Sequence, residues 1–184
     1  KPEGPPMEVY SAELSLQRVQ SLFRATSITH SVNEDGVTTS DGTKVVSWRY
    51  THPGQRIQLS DKVWASCFAV DHIQGAMGWR VESDGVAVVF SGDTRFSENL
   101  AAASHGADLL IHEALCTDAD TNGASSRGHS TAGEAARAAA IAQVKSLTLT
   151  HIDNPFHLNT QALLDDARTH FDGPIDVATD LYQI

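Results

Sequence analysis

Five histidine and acidic residues of this sequence stand where side chains could gather around a metal ion. They are His72, Asp93, Glu113, His129 and His151. Imidazole nitrogen and carboxylate oxygen are ligands that zinc-like ions take, and a paired site needs a carboxylate that can bridge. Asp93 has the chemistry of the bridging ligand, while His72 and His151 can each give a nitrogen to one ion. The pattern therefore predicts a metal site.

Each of these residues also has an ordinary structural interpretation when it is taken alone. Asp93 can be a turn residue, and His72 or His151 can be a histidine of the surface or of the core. Glu113 can belong to a hydrogen-bonded pair at the end of a strand, and His129 can be the N-terminal residue of a helix. It is the joint placement of the five residues that favours one shared site.

Short apolar runs precede three of the five residues. The runs occupy residues 86–90, 109–111 and 147–150 and are typical of buried strands. Open α/β sheets place ligand sites at the carboxyl ends of their strands. The sequence therefore predicts that the residues following these runs meet at one edge of a sheet.

His129 stands between a polar segment and a predicted helix. Residues 117–127 are small and polar and predict a mobile loop, whereas residues 131–142 predict a helix capped by Ser130 or Thr131. Such a loop can bring His129 over a bound substrate and exclude water.

Length and element order predict one domain, residues 1–184, of mixed α/β class. The 184 residues suffice for a sizeable core, and strands come first and then alternate with helices. The two cysteines, Cys67 and Cys116, have no partner pattern, and a buried free thiol is the expectation for Cys67.

Charge and hydropathy narrow the partners that we expect. The net charge of −10 disfavours broad electrostatic binding of nucleic acid, although a local basic groove stays possible. No apolar run approaches the ~20 residues of a membrane helix, and no segment resembles a secretion signal. We therefore expect no membrane contact and a cytoplasmic location, while the first residue, Lys1, leaves an upstream signal open.

Four segments resemble, in order, motifs of the metallo-β-lactamase fold in its ribonuclease Z-like branch. They are Phe-Ser-Gly-Asp-Thr at 90–94, Ala-Asp-Leu-Leu-Ile-His-Glu-Ala at 107–114, Gly-His-Ser-Thr at 128–131 and Leu-Thr-His at 149–151. Asp71 and His72, before Met-Gly-Trp-Arg at 77–80, resemble the His motif that precedes a Gly-Tyr-Arg-type strand in that branch. The resemblance covers residues 7–184 and implies an αββα sandwich and a two-metal hydrolase.

The resemblance also implies a role for each of the five residues. His72 would bind one metal ion, Asp93 would bridge, and His151 would bind the second ion. Glu113 and His129 would form a pair behind the metals, with His129 donating a proton to the leaving group and Glu113 orienting it. Two divalent ions, zinc first and manganese as the other option, would hold a hydroxide that attacks a phosphodiester or related ester in line.

Two departures from the family pattern open alternatives. The His-x-His-x-Asp-His motif of the family is absent from these 184 residues, so the chain resembles the C-terminal half of the sandwich. We expect a longer protein, then a second polypeptide that supplies the missing half, then a non-catalytic binding or assembly module. Because the sheet face that the missing half would cover is apolar, a homodimer is a further expectation.

The second departure concerns the substrate. Asp153 follows the last histidine, where tRNA-processing members carry a basic and aromatic segment. A carboxylate there would repel phosphate. RNA therefore competes as substrate with a small ester, such as a phosphodiester, a sulfate ester or a lactone.

Overall fold

The computed structural model of the chain describes residues 4–26, 30–39, 42, 44–157 and 159–181. The chain divides into two compact units, Lys1–His52 and Pro53–Ile184. Among the described residues, no helix combines the length and the apolar character that crossing a membrane requires.

The described residues of the first unit form a four-stranded sheet and one helix, α1 (Glu13–Thr26). Its strands are β1 (Met7–Ser11), β2 (His30–Asn33), β3 (Gly36–Thr39) and β4 (Lys44–Tyr50), in the spatial order β1-β4-β3-β2. β1 runs parallel to β4, and the other pairs are antiparallel. Leu16, Val37 and Trp48 form the buried cluster of this unit.

The second unit is built on a seven-stranded sheet with helices that pack on it. Its strands are β5 (Arg56–Gln58), β6 (Val63–Ala69), β7 (Met77–Ser83), β8 (Val86–Phe90), β9 (Leu109–Glu113), β10 (Leu147–Thr150) and β11 (Ile175–Val177). Each strand pairs with the strands that precede and follow it in sequence, so the sheet runs in order from β5 at one side to β11 at the other. The pairs from β8 to β11 are parallel, so the carboxyl ends of these four strands share one edge.

In the described part of the second unit, four helices lie between strands of the sheet in sequence. They are α2 (Glu98–Ala103), α3 (Thr121–Arg127), α4 (Ala132–Ala142) and α5 (Thr160–Arg168), with 3-10 turns at Asp118–Asp120 and Asn154–Phe156. Thr131 accepts a hydrogen bond from the Glu134 amide while the Glu134 side chain accepts one from the Thr131 amide, a reciprocal cap that starts α4. Of the two predicted caps, Thr131 is therefore the one used.

Alanines let α4 lie close to the sheet. Ala135, Ala136 and Ala139 are fully buried in one cluster with Leu110 and Leu149, which come from β9 and β10. Small side chains allow the helix backbone to approach the strands without leaving a void. This packing holds the segment before α4 over the carboxyl edge of the sheet.

The expected loop over residues 117–127 is wrong: it forms the 3-10 turn at Asp118–Asp120 and helix α3. Tertiary contacts supply the stability that its small polar residues lack. The Asp118 amide donates to Asp166, and the Asp118 carboxylate contacts Thr131 and Arg137. Gly128, at φ 90°, ends α3 in the left-handed conformation that glycine adopts without strain.

Candidate metal centre

The parallel strands bring Asp93, Glu113 and His151 to the same edge of the sheet. Phe90 of β8 lies beside Ile111 of β9, and Glu113 of β9 lies beside Thr150 of β10. His151 follows β10 directly and Asp93 lies three residues after the end of β8, so both side chains are placed by the ends of rigid strands.

Asp93 stands between two histidines. Its Oδ2 lies 3.9 Å from Nε2 of His72, and its Oδ1 lies 3.8 Å from Nε2 of His151. Two ligand atoms on one tetrahedral ion with bonds of ~2.0 Å lie about 3.3 Å apart. Small side-chain rotations would therefore let this carboxylate share one ion with each imidazole.

His72 is held by a main-chain contact on its far side. Its Nδ1 lies 2.9 Å from the carbonyl oxygen of Gly128, and a carbonyl can only accept, so Nδ1 donates. In the neutral imidazole this leaves the lone pair on Nε2, the atom that faces Asp93. A Cβ at residue 128 would lie 2.5 Å from that Nδ1, so the approach also requires glycine.

His129 and Glu113 form a pair behind Asp93. His129 Nδ1 lies 2.9 Å from Oε1 of Glu113, which also accepts a 2.9 Å hydrogen bond from the Thr94 amide. Glu113 is buried, and burial raises its pKa to about 7 against hydrogen bonds that lower it. Burial also disfavours the charged form of His129 and lowers its pKa, while the negative charge of Asp93 acts to raise that pKa.

The ring of His129 lies between the other two histidines. Its centroid is 5.0 Å from that of His72 and 5.1 Å from that of His151. Among the described residues, His72, Asp93 and His129 offer ligand atoms that all lie within 4.8 Å of one another. The geometry thus allows His129 to be either a metal ligand or a proton donor, a choice that sequence motifs alone did not expose.

The donor set fits a divalent transition metal. Imidazole nitrogens and one shared carboxylate are typical of zinc, with iron and manganese as other options. In addition, Oε2 of Glu113 is buried without a hydrogen-bond partner, which leaves an acceptor open at the centre.

The backbone is unusual at His151. This residue has φ 55°, in the left-handed region that only a few non-glycine residues adopt. Such strain costs of order 1–3 kcal/mol and is found where surrounding contacts impose it, often at functional sites. Nothing in the local sequence signals it.

Three buried hydroxyls that the sequence motifs did not identify as site residues support the centre. Ser91 Oγ accepts from the Glu113 amide at 3.0 Å, and Ser130 Oγ donates to the Thr94 carbonyl at 2.7 Å. Thr94 Oγ1 accepts from the Asp71 amide at 3.0 Å. Their position within two residues of Asp93 or His129 in the motifs was the available signal.

Asp153 does not stand as a free negative charge. Its Oδ2 lies 3.2 Å from Nη2 of Arg127, at the end of α3. The pKa of Asp153 is lowered, first by the Asn154 amide and then by this arginine. The repulsion of phosphate expected from this carboxylate is therefore offset by a neighbouring cation.

His112 lies next to Glu113 in sequence but plays a different part. It is fully buried, and its Nδ1 donates to the Glu113 carbonyl oxygen at 2.6 Å. Burial lowers its pKa to about 4. It is therefore a neutral core residue at physiological pH.

Two cavities adjoin the centre. One of about 370 Å³ is lined by Asp93, Glu113 and His151 among others. Another of about 640 Å³ is lined by His151, His157 and Asp180 among others. Both cavities therefore border His151, and the smaller one also borders Asp93.

Known proteins resemble this chain in sequence and in fold. The sequence profile of the Beta-lactamase superfamily domain matches residues 12–152. A ribonuclease Z of Myxococcus xanthus is 40% identical over 100 residues, which are 54% of this chain and 33% of that protein. The chain therefore spans about a third of the length of this curated relative.

Solved structures extend the likeness to almost the whole chain. A metallo-beta-lactamase fold protein from Bacillus subtilis matches with a TM-score of 0.74 and 22% identity, over 97% of this chain and 65% of that one. The short form of human tRNase Z matches with a TM-score of 0.67 and 17% identity, over 98% of this chain and 68% of that one. Identities this low show a common fold, so the predicted fold class is confirmed.

Proposed function

Because this chain belongs to the beta-lactamase superfamily, in the ribonuclease Z-like branch of the metallo-β-lactamase fold, we propose that it is part of a metal-dependent hydrolase that cleaves phosphodiester bonds. The observation that carries the proposal is Asp93, whose two oxygens face His72 and His151 separately. RNA is the substrate class that the name of the Myxococcus xanthus relative suggests.

The site would hold two divalent ions, with zinc as the first choice and manganese as the second. His72 and Asp93 would hold one ion, and Asp93 and His151 would hold the other. Three side chains cannot fill two tetrahedral shells, so water and a further protein segment must supply ligands. The family motif that would do so, His-x-His-x-Asp-His, is absent from these 184 residues.

When bound, the ions would supply Lewis-acid stabilisation of the phosphate charge and a water of lowered pKa. The side chains of this chain would orient the substrate and move the proton. His129 Nδ1 is engaged by Glu113, which leaves Nε2 to hold a proton for the leaving oxygen. The Glu113 carboxylate stabilises the imidazolium while that proton is held.

A second polypeptide at the sheet of the second unit is part of the proposal. Val86 and Phe90 lie on the same face of β8, since side chains alternate along a strand. Their exposed fractions are 52% and 43%, high for large apolar residues in a sheet. We expect a missing segment or a second copy of the chain to cover them. Sedimentation of the chain as a monomer without dye-binding apolar surface would count against this.

Metal binding and hydrolysis test the proposed function together. The 184-residue chain should bind Co²⁺ with the absorption of a site that includes histidine, and Asp93→Asn should weaken that binding at least tenfold. Asp61→Asn is the matched control, because Asp61 is an exposed carboxylate in the turn before β6. Equal Co²⁺ affinity in wild type and Asp93→Asn would overturn the metal assignment.

Substrate class is tested on the metal-loaded complex of this chain with a segment that carries His-x-His-x-Asp-His, by offering it a 3′-extended tRNA precursor, an aryl sulfate and a lactone. We expect phosphodiester cleavage only. Turnover of the sulfate or the lactone alone would favour a small-ester hydrolase. Metal binding without turnover, in a complex that includes the His-x-His-x-Asp-His segment, would favour a binding or assembly module.

A further inference from the structure

The two residues after Asp93 contact Glu113 and the segments that carry His129 and His72. The Thr94 amide donates to Glu113, and its carbonyl accepts from Ser130, beside His129. The Arg95 amide donates to the carbonyl of Asp71, beside His72, at 2.9 Å. Main-chain hydrogen bonds of Thr94 and Arg95 thus link Asp93 to the segments of other candidate site residues.

The side chain of Arg95 adds a bridge between two segments far apart in sequence. Its Nη1 lies 3.2 Å from Oδ1 of Asp71, and its Nε donates to the carbonyl of Ser125 at 2.8 Å. Asp71 precedes His72 directly, and Ser125 lies in the last turn of α3, four residues before His129. One guanidinium therefore joins the segment of His72 to the segment of His129.

The Ser125 carbonyl belongs to the end of a helix, where carbonyls lack helical partners. It also accepts from the Gly128 amide at 3.1 Å. A cation at a helix C-terminus is favourable, since it faces the negative end of the helix dipole. Arg95 consequently stabilises the turn from which Gly128 presents its carbonyl to His72.

Resting on the proposed function, we propose that Arg95 is a positioning residue of the metal centre. Its guanidinium fixes the turn at the end of α3 against Asp71, so that Gly128 orients His72 and the same turn places His129. The side-chain hydrogen bonds of Arg95 go to Asp71 and Ser125, so the bridge acts on the centre through the Asp71 and Ser125–Gly128 segments.

The geometry requires arginine rather than a positive charge alone. Nε and Nη1 are separate donors in a planar fork, and each is directed at a different acceptor. The ammonium of lysine is a compact point charge on a flexible stem and lacks this fork. Arg95→Lys therefore keeps the charge and loses the bridge, while Arg95→Gln loses both.

The test compares wild type, Arg95→Gln and Arg95→Lys with Arg56→Gln as the matched control. Arg56 is an exposed arginine of β5, the strand at the side of the sheet opposite to β11. Its Nη2 lies 3.5 Å from Oε2 of Glu82. Two quantities are measured: Co²⁺ affinity by chelator competition, and amide hydrogen exchange at Gly128 and His129 in the metal-free chain. These amides donate to Ser125 and Ala124, so their exchange reports opening of the α3 turn.

We expect both Arg95 variants to bind Co²⁺ about tenfold more weakly, the lower end for residues behind a metal ligand. Exchange at the two amides should be about tenfold faster, and Arg56→Gln should match wild type in both. Wild-type behaviour of Arg95→Gln in either measurement overturns the proposal. Unchanged Co²⁺ affinity would mean that Arg95 stabilises the end of α3 without affecting the metal centre. Unchanged amide exchange would mean that Arg95 does not hold the turn after α3.

A wild-type chain that binds no Co²⁺ would instead overturn the proposed function. Because amide exchange is measured without metal, it would then test by itself whether Arg95 joins the Asp71 segment to the α3 turn. Rescue of affinity and exchange by Arg95→Lys would also overturn the proposal, since charge alone would then suffice.

Discussion

Replacement of His129 by alanine separates the two roles that the geometry allows this residue. If His129 is the proton donor, His129→Ala should slow turnover by the complete enzyme of a substrate with a poor leaving group by roughly 10²–10⁴-fold, the usual worth of general acid catalysis. The loss should shrink for a nitrophenyl ester, whose leaving group needs little protonation. Metal content should stay unchanged.

The structure also sets a stability cost for this variant. Glu113 Oε1 would keep the Thr94 amide and lose His129, and its carboxylate is almost fully buried. Losing one hydrogen bond to such a group lowers the free energy of unfolding by about 1–3 kcal/mol. Turnover must therefore be expressed per folded protein, with folding checked by circular dichroism.

The assay measures kcat on both substrates and bound metal by mass spectrometry. His105→Ala is the control, because His105 is an exposed histidine after α2. Unchanged turnover on the poor-leaving-group substrate would refute the proton-donor role. A variant that loses metal as well as turnover on both substrates would show that His129 is a ligand, as its closeness to His72 and Asp93 also allows.

Three further predictions concern the backbone, the core and the metal. Gly128→Ala should lower the free energy of unfolding by about 2–3 kcal/mol, because it combines φ 90° with a Cβ 2.5 Å from a ring nitrogen. Gly106 has φ 64° and open space around it, so Gly106→Ala should lose only about 1 kcal/mol. Urea unfolding measures both variants, and equal losses would contradict the predicted clash between residue 128 and the His72 ring. His112 has a pKa of about 4 in the fold against 6.5 when unfolded, so the unfolded state binds more protons in that window and stability falls as the pH falls. From pH 7 to pH 5 the wild type should lose about 2 kcal/mol relative to His112→Asn, and parallel pH profiles would refute this. Calorimetric titration of the chain with Zn²⁺ should find weak binding, since three ligands are shared by two ions, whereas tight uptake of two ions would contradict it.

Local patterns in the sequence predicted most of the elements that position the centre. The apolar runs before Asp93, Glu113 and His151 became β8, β9 and β10, because a short apolar run has few ways to bury itself other than as a central strand. Thr131 and Glu134 predicted the start of α4 because a reciprocal cap depends only on residues three apart. The order of the motifs also predicted the family and the fold class, which are confirmed.

Helix α3 shows where local patterns fail. Its small polar residues predict a loop, yet the segment is helical because Asp118, Gly128 and the Ser125 carbonyl are held from outside it. Propensity is a weak prior, and contacts with distant residues override it.

The sequence by itself determined which residue types stand at the strand ends, and so which chemistry the chain can support. Only the tertiary structure decided how they face each other. His72 and Gly128 are 56 residues apart, Arg95 and Ser125 are 30 apart, and Arg127 and Asp153 are 26 apart. Local periodicity carries no information on such pairs, because they meet only after the sheet order and the packing of α4 have brought their segments together.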